Sequence, residues 1–159
     1  MVSARRSLGV LPSIQPGALC HEFCLRGIHI QESQAKRIYD GEKTVEARTW
    51  KPGCYSGENW LIETPDKPKQ NGKRTHAEIT GVIRFGTAHV YGSYEEWRRD
   101  FKRHRVEEGS VFDWKPDKQK SMYAWEILEV RELATPIPAP PVRGLIGAKE
   151  HKAIVFFKK

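Results

Sequence analysis

Lys43, Glu46 and Arg48 lie within six consecutive positions of the stretch G-E-K-T-V-E-A-R-T-W, from Gly41 to Trp50. A carboxylate near an ammonium can carry a proton, and a guanidinium beside them can clamp an anion or a carbonyl with parallel N–H donors. Thr44 to Trp50 alternates and is rich in β-formers, so it reads as a strand. Alternate residues of a strand share a face, which sets Thr44, Glu46, Arg48 and Trp50 on one side and Lys43, Val45, Ala47 and Thr49 on the other. Taken alone, the segment is most simply an exposed Glu46–Arg48 ion pair on an edge strand, worth about a few tenths of a kcal/mol. If that face closes over a pocket, the same residues form an oriented carboxylate and guanidinium beside Trp50, with Lys43 at the helix-side rim.

The elements around the stretch must position it. Leu25 to Ile30 reads as a first strand, and Ser33 can cap a helix from Gln34 to Asp40 whose Ala35, Ile38 and Tyr39 share a face. Gly41 supplies the stop, and Pro52-Gly53 ends the strand that follows. Further strands are expected from Trp60 to Thr64, Ala77 to Val90, Tyr123 to Leu133 and Ala153 to Phe157, with a polar loop from Pro65 to Thr75. Ser93-Tyr94-Glu95-Glu96 has the pattern of a capping box, and a helix is expected from Tyr94 to about Arg105. Its apolar stripe is Tyr94, Trp97 and Phe101. Arg98, Arg99, Lys102, Arg103 and Arg105 crowd the other faces, where they can meet phosphates. The Pro-rich run from Thr135 to Pro141 reads as an extended connector unable to form a regular ladder, and Arg143 to Gly147 as a Gly-hinged loop. About six strands and two helices in mixed order give a mostly β, α+β fold, best built as a small antiparallel barrel with peripheral helices.

At 159 residues one domain is expected, over residues 23–159, behind a flexible leader at 1–22. The leader has Arg5, Arg6 and several serines but no acid before Glu22, a weak targeting character without a convincing amphipathic helix. No run approaches the roughly 18 apolar residues of a membrane span. The net charge of +7 makes a polyanion, above all nucleic acid, the first partner to consider. Cys20, Cys24 and Cys54 cannot all pair within one chain, so free thiols in a reducing, cytoplasmic setting are expected. With His21 they can be written as a zinc set, but the spacing matches no familiar finger. No metal or other cofactor is called for, and nothing specifies an oligomer, so a monomer is expected. Trp50 and Tyr55, beside the Pro-Gly turn, are the aromatics best placed for exposure and stacking on bases, whereas Trp60 and Trp125 read as core.

The segment Gly41-Glu42-Lys43-Thr44-Val45-Glu46-Ala47-Arg48 resembles the G-x-K-x-x-E-x-R signature of the ASCH domain, a relative of the PUA domains of RNA-modification proteins. The resemblance runs from about Leu25 to Gly147 and takes in the strand-helix lead-in, the G-V-I-R-F and W-E-I-L-E-V strands and the late connector ending in Arg143-Gly144. It implies a small β-barrel with a cleft between barrel and first helix, walled by Lys43, Thr44, Glu46 and Arg48, with Trp50 and Arg143 beside them. The family is generally proposed to bind RNA, and some members are described as hydrolases that cleave RNA or deacylate a modified cytidine. In that amidohydrolase branch the motif resembles G-x-K-T-x-T-x-R, and the second Thr, a proposed catalytic residue, is replaced here by Glu46.

Two functions follow from these readings. One is an RNA-binding module in which the cleft takes a base or nucleotide while Arg98, Arg99, Lys102, Arg103 and Arg143 hold the backbone. The other is a small metal-independent hydrolase of RNA or a modified nucleoside, with Lys43 as base or electrostatic stabiliser, Glu46 as proton carrier and Arg48 as clamp.

Overall fold

The structure, a computed structural model, describes residues 21–66, 76–139 and 150–159. Six strands form one mixed sheet: β1 (His21–Gln31), β2 (Val45–Arg48), β3 (Gly57–Thr64), β4 (Glu78–Val90), β5 (Tyr123–Pro138) and β6 (Glu150–Val155). Their spatial order is β2-β5-β4-β3-β1-β6, with β1 parallel to β3 and the other pairs antiparallel. Among the described residues the sheet is open, with β2 and β6 at its edges, and no closed barrel is seen. The chain after Val155 turns to β5. It makes one bridge, Leu133 to Phe157, with flanking bonds from Ala134 N–H to the Phe156 carbonyl and from Lys158 N–H to that of Glu132.

Among the described residues three α-helices pack on this sheet, one more than expected. Helix α1 (Glu32–Tyr39) buries Ala35 and Ile38 and is stopped by Gly41 at φ 75°, a left-handed conformation suited to glycine. Ser33 does not cap it. Its N–H and hydroxyl instead engage the Asp66 carboxylate, and Gln31 holds the cap position without a side-chain bond. The helix expected up to Arg105 is split at Asp100 into α2 (Tyr94–Arg99) and α3 (Phe101–His104). Ser93 caps α2 by accepting the Glu96 N–H, while the Glu96 carboxylate takes the N–H of Gly92. Asp100 leaves helical geometry where its carboxylate accepts the Tyr91 hydroxyl and both arms of Arg103.

β1 begins at His21, inside the stretch read as leader, and pairs His21 with Val155 and Glu22 with Ile154. The Pro-rich run also departs from expectation, because β5 continues to Pro138 and pairs Ile137 with Ile79. The register jumps between Ile79 and Gly81, from Ile137 to Glu132 on β5, so the intervening Pro136 has no ladder partner on β4. Most of the 65–75 loop, the chain from 140 to 149 with Arg143, and Cys20 lie outside the described residues. No described helix is long and apolar enough to cross a membrane.

The core falls into three clusters. One, under α1, joins Ile28, Ile30, Ile38, Leu61, Ile83, Phe85 and Trp125; a second joins Val45, Tyr91, Trp97, Val106, Trp114 and Met122; a third gathers Trp60, Ile62, Ile79, Val82, Leu133 and Val155. Where α1 crosses β4, Gly81 lets Tyr39 approach: an added Cβ would lie 2.4 Å from the Tyr39 hydroxyl and 2.6 Å from the Arg131 carbonyl. Gly81→Ala should therefore destabilise the fold by about 1–3 kcal/mol, read as a lower urea midpoint at unchanged m-value.

Candidate functional site

β2 is the short edge strand that carries the Glu46-Ala47-Arg48 segment, and it pairs Glu46 with Trp125 and Arg48 with Tyr123 on β5. Lys43 precedes the strand, in the turn after α1. It does not stand at a rim: its side chain turns inward and is 3% exposed. Lys43 Nζ donates to the His104 carbonyl at 2.6 Å and lies 3.5 Å from Glu46 Oε2. On the other side Arg48 Nε donates to Glu46 Oε1 at 2.9 Å, and its Nη2 donates to the His29 carbonyl at 2.7 Å. Glu46 thus sits between two cations. Burial pushes the Lys43 ammonium below the ordinary lysine range, against the opposing pull of Glu46.

These three side chains line one cleft of about 270 Å³, together with His29, Ile30, Gln34, Trp50, Val106, Phe112 and Met122 among others. Ile30 belongs to the core cluster under α1, and Val106 and Met122 to the second, so the cleft marks the seam between them. Its mouth is apolar and open, with Trp50 49% and Phe112 46% exposed. The Arg48 guanidinium lies 5.4 Å from the Trp50 ring centroid, and Trp125 Nε1 donates to the Trp50 carbonyl. Tyr55 stacks on Trp125 and does not line the cleft.

Two lining residues carry a buried polar atom with no hydrogen-bond partner, His29 Nε2 and Gln34 Oε1. Such an orphan costs about 1–3 kcal/mol until something satisfies it. The opposite ring nitrogen of His29 lies 3.2 Å from the Thr64 hydroxyl, and burial, aided by the Arg48 charge, lowers its pKa.

The other residues singled out in the sequence are placed elsewhere. Thr44 is exposed and tied through its backbone, its N–H to the Arg103 carbonyl and its own carbonyl to the Ile127 N–H; it does not line the cleft. Arg98 turns inward to the Val106 carbonyl and Asp113, and Arg103 chelates Asp100, so neither is a free phosphate ligand. Arg99 bonds the Glu95 carbonyl and lines, with Arg103 and His89, a separate shallow depression. Lys102 is exposed. Cys24 and Cys54 are free exposed thiols, and no group of His, Cys, Asp or Glu able to hold a metal occurs among the described residues.

Sequence reasoning passed over His29, Gln34, Phe112 and His104. Phe112 reaches the cleft because Asp113, next in the chain, is buried and accepts from Trp97 Nε1, the Tyr94 hydroxyl and the Gly109 N–H. His104 stacks on Trp97 with ring centroids 3.6 Å apart, accepts the Val106 N–H at Nδ1 and faces the Trp97 carbonyl with Nε2. The neutral ring with its proton on Nε2 satisfies both contacts.

An open, mostly β mixed sheet flanked by helices, with a cleft beside its edge strand, is a fold of the PUA-like kind. The ASCH domain model matches residues 28–137, and the chain belongs to the ASCH domain family. Among solved structures the chain is similar to the ASCH protein of Zymomonas mobilis, with a TM-score of 0.53 and 20% identity over 70% of this chain and 71% of that one. At that identity the likeness speaks for the fold. No curated protein matches the chain.

Burial lowers the His104 pKa to about 4, against 6.5 for a free side chain. Unfolding releases this ring to take up a proton wherever the pH lies between those values. Stability should therefore be fully present above pH 6.5 and decline as the pH falls towards 4, by up to about 3 kcal/mol. Urea unfolding across that window measures the slope, and His104→Gln, which cannot titrate, should flatten it.

Proposed function

We propose that the protein binds single-stranded RNA and takes one nucleobase into the Lys43–Glu46–Arg48 cleft. The observation that carries this reading is the pairing, in one small cleft, of exposed Trp50 and Phe112 at the mouth with a charged, hydrogen-bonding interior. Planar bases stack on such aromatics whatever their sequence, and their edges need polar partners deeper in. The volume falls just below the 300–1,000 Å³ of typical ligand pockets, a size for one base and not for a folded helix. Family membership and the charge of +7 support the same partner.

The backbone contacts fall mainly to cations outside α2. The loop that carries Phe112 and Gln119 also holds Lys115, Lys118 and Lys120, exposed and without ion pairs among the described residues; Lys51 follows Trp50 on the facing side. Arg99 and Lys102 can add to them, whereas Arg98 and Arg103 are engaged within the domain. Titration of a labelled single-stranded RNA at several salt concentrations should give log affinity falling linearly with log salt. Trp50→Ala should weaken binding about 10- to 100-fold, one stacking contact, while leaving the salt slope unchanged. Affinity no better than for a neutral polymer, or independent of salt, would overturn the reading.

A second reading, a hydrolase of RNA or a modified nucleoside, is favoured by one feature, the buried Lys43 ammonium with its lowered pKa beside Glu46. A lysine whose ammonium is disfavoured by burial gives up its proton more readily and can act as a general base, with Glu46 carrying the proton onward and Arg48 holding the substrate oxygen. Turnover of RNA or N-acylcytidine should then fall at least about 100-fold in both Lys43→Ala and Glu46→Gln. Activity absent in the wild type, or unchanged in both variants, removes it.

A further inference from the structure

Among the charged side chains of the cleft lining, Arg48 is the one a ligand can touch: its side chain is 20% exposed, against 9% for Glu46 and 2% for Lys43. A guanidinium carries five N–H donors. Arg48 commits Nε to Glu46 and one Nη2 hydrogen to the His29 carbonyl. Both hydrogens of Nη1 and the second of Nη2 have no acceptor among the described residues. The two committed bonds fix the plane of the group, so the remaining donors form a fork of set orientation. The guanidinium also lies 5.4 Å from the centroid of the Trp50 ring, so a base laid on that ring brings its own edge next to the fork.

From this we infer that Arg48 is a specificity-determining residue that distinguishes guanine from adenine in the cleft. The inference rests on the proposed RNA-binding function and refines it. Guanine presents two adjacent acceptors, O6 and N7, which match a guanidinium fork bidentately, whereas adenine carries an amino donor in place of O6. That amino group sets donor against donor and leaves the fork half filled. Stacking on Trp50 and Phe112 is indifferent to base identity, and the two purines offer rings of the same size. The choice between them therefore falls to the edge contact. Charge acts in the same direction, because two cations face one carboxylate in the lining and favour an edge of acceptors.

The test uses short single-stranded RNAs labelled at one end, with one purine at a central position and abasic sugars elsewhere, and reads affinity by fluorescence anisotropy. Wild-type protein should bind the guanine oligomer about tenfold more tightly than the adenine one. Hypoxanthine, which keeps O6 and N7 and lacks the 2-amino group, should bind like guanine. The 7-deazaguanine oligomer, with C–H in place of N7, should bind about threefold more weakly than guanine. Arg48→Lys, which keeps the charge and loses the fork, should bring the guanine-to-adenine ratio close to one. Equal wild-type affinity for guanine and adenine, or discrimination that survives Arg48→Lys, overturns the inference while base binding itself stands. Hypoxanthine falling to the level of adenine also overturns it, by showing that the 2-amino group is read instead, as does full affinity for 7-deazaguanine, which removes the bidentate contact. The base analogues decide on the wild-type protein, whatever the stability of the variant. Failure of every oligomer to bind overturns the RNA-binding reading, and this inference falls with it.

Discussion

An ammonium withdrawn from water has to be neutralised and hydrogen-bonded where it lies, because desolvating it without partners costs several kcal/mol. Lys43 imposes that requirement on the parts of the molecule around it. Its acceptor is a backbone carbonyl at the end of α3, so α3 must end where it does. It ends at Arg105, a non-glycine residue in the left-handed conformation at φ 56°. Further bonds tie this terminus to the α1 turn: Arg37 donates to the Arg105 carbonyl, Arg105 to the Glu42 carbonyl and the Thr44 N–H to that of Arg103. The ring of His104, held against Trp97, fixes the carbonyl from behind. Burial of one charge thus couples the turn after α1 and the end of α3 to the edge strand β2.

The same coupling explains why the cleft exists. α1 packs on the cluster around Ile38 and Trp125, and α2 with α3 packs on the one around Trp97. These two bodies of apolar side chains meet at β2, which is only four residues long. Two convex cores joined at a short strand leave a furrow, and Glu46 and Arg48 are the β2 side chains that face it. A charged furrow is stable because each cation in it has a fixed acceptor, and its outer lining, Trp50 and Phe112, stands exposed.

The sequence exposed the strands and the Glu46–Arg48 face readily, because period-two alternation survives wherever one face is buried. It was less informative at Lys43, where alternation put the side chain on the far face; β2 begins only at Val45, and the preceding turn reorients the chain. The helix arginines misled for a related reason. Clustered charge looks like a solvated or phosphate-facing surface, and only the tertiary positions of Asp100 and Asp113 show that Arg103 and Arg98 have partners within the domain. Prolines in the run from Thr135 suggested a break, yet a bulge that skips Pro136 lets the strand resume. Phe112 and Gln34 had no local signature at all. One is exposed in a loop and the other lies on a short helix, and each gains meaning only from what stands opposite.

Asp113 holds the loop of Phe112 by three hydrogen bonds that all reach inward, to α2 and to the backbone of Gly109. The outward residues Val111 and Phe112 contribute little to that anchorage, and Val111 is 80% exposed. The loop is built like a bracket with a replaceable tip. Substitutions at the tip cost little to folding, so the lining of the cleft can change here while the frame of the domain stays the same.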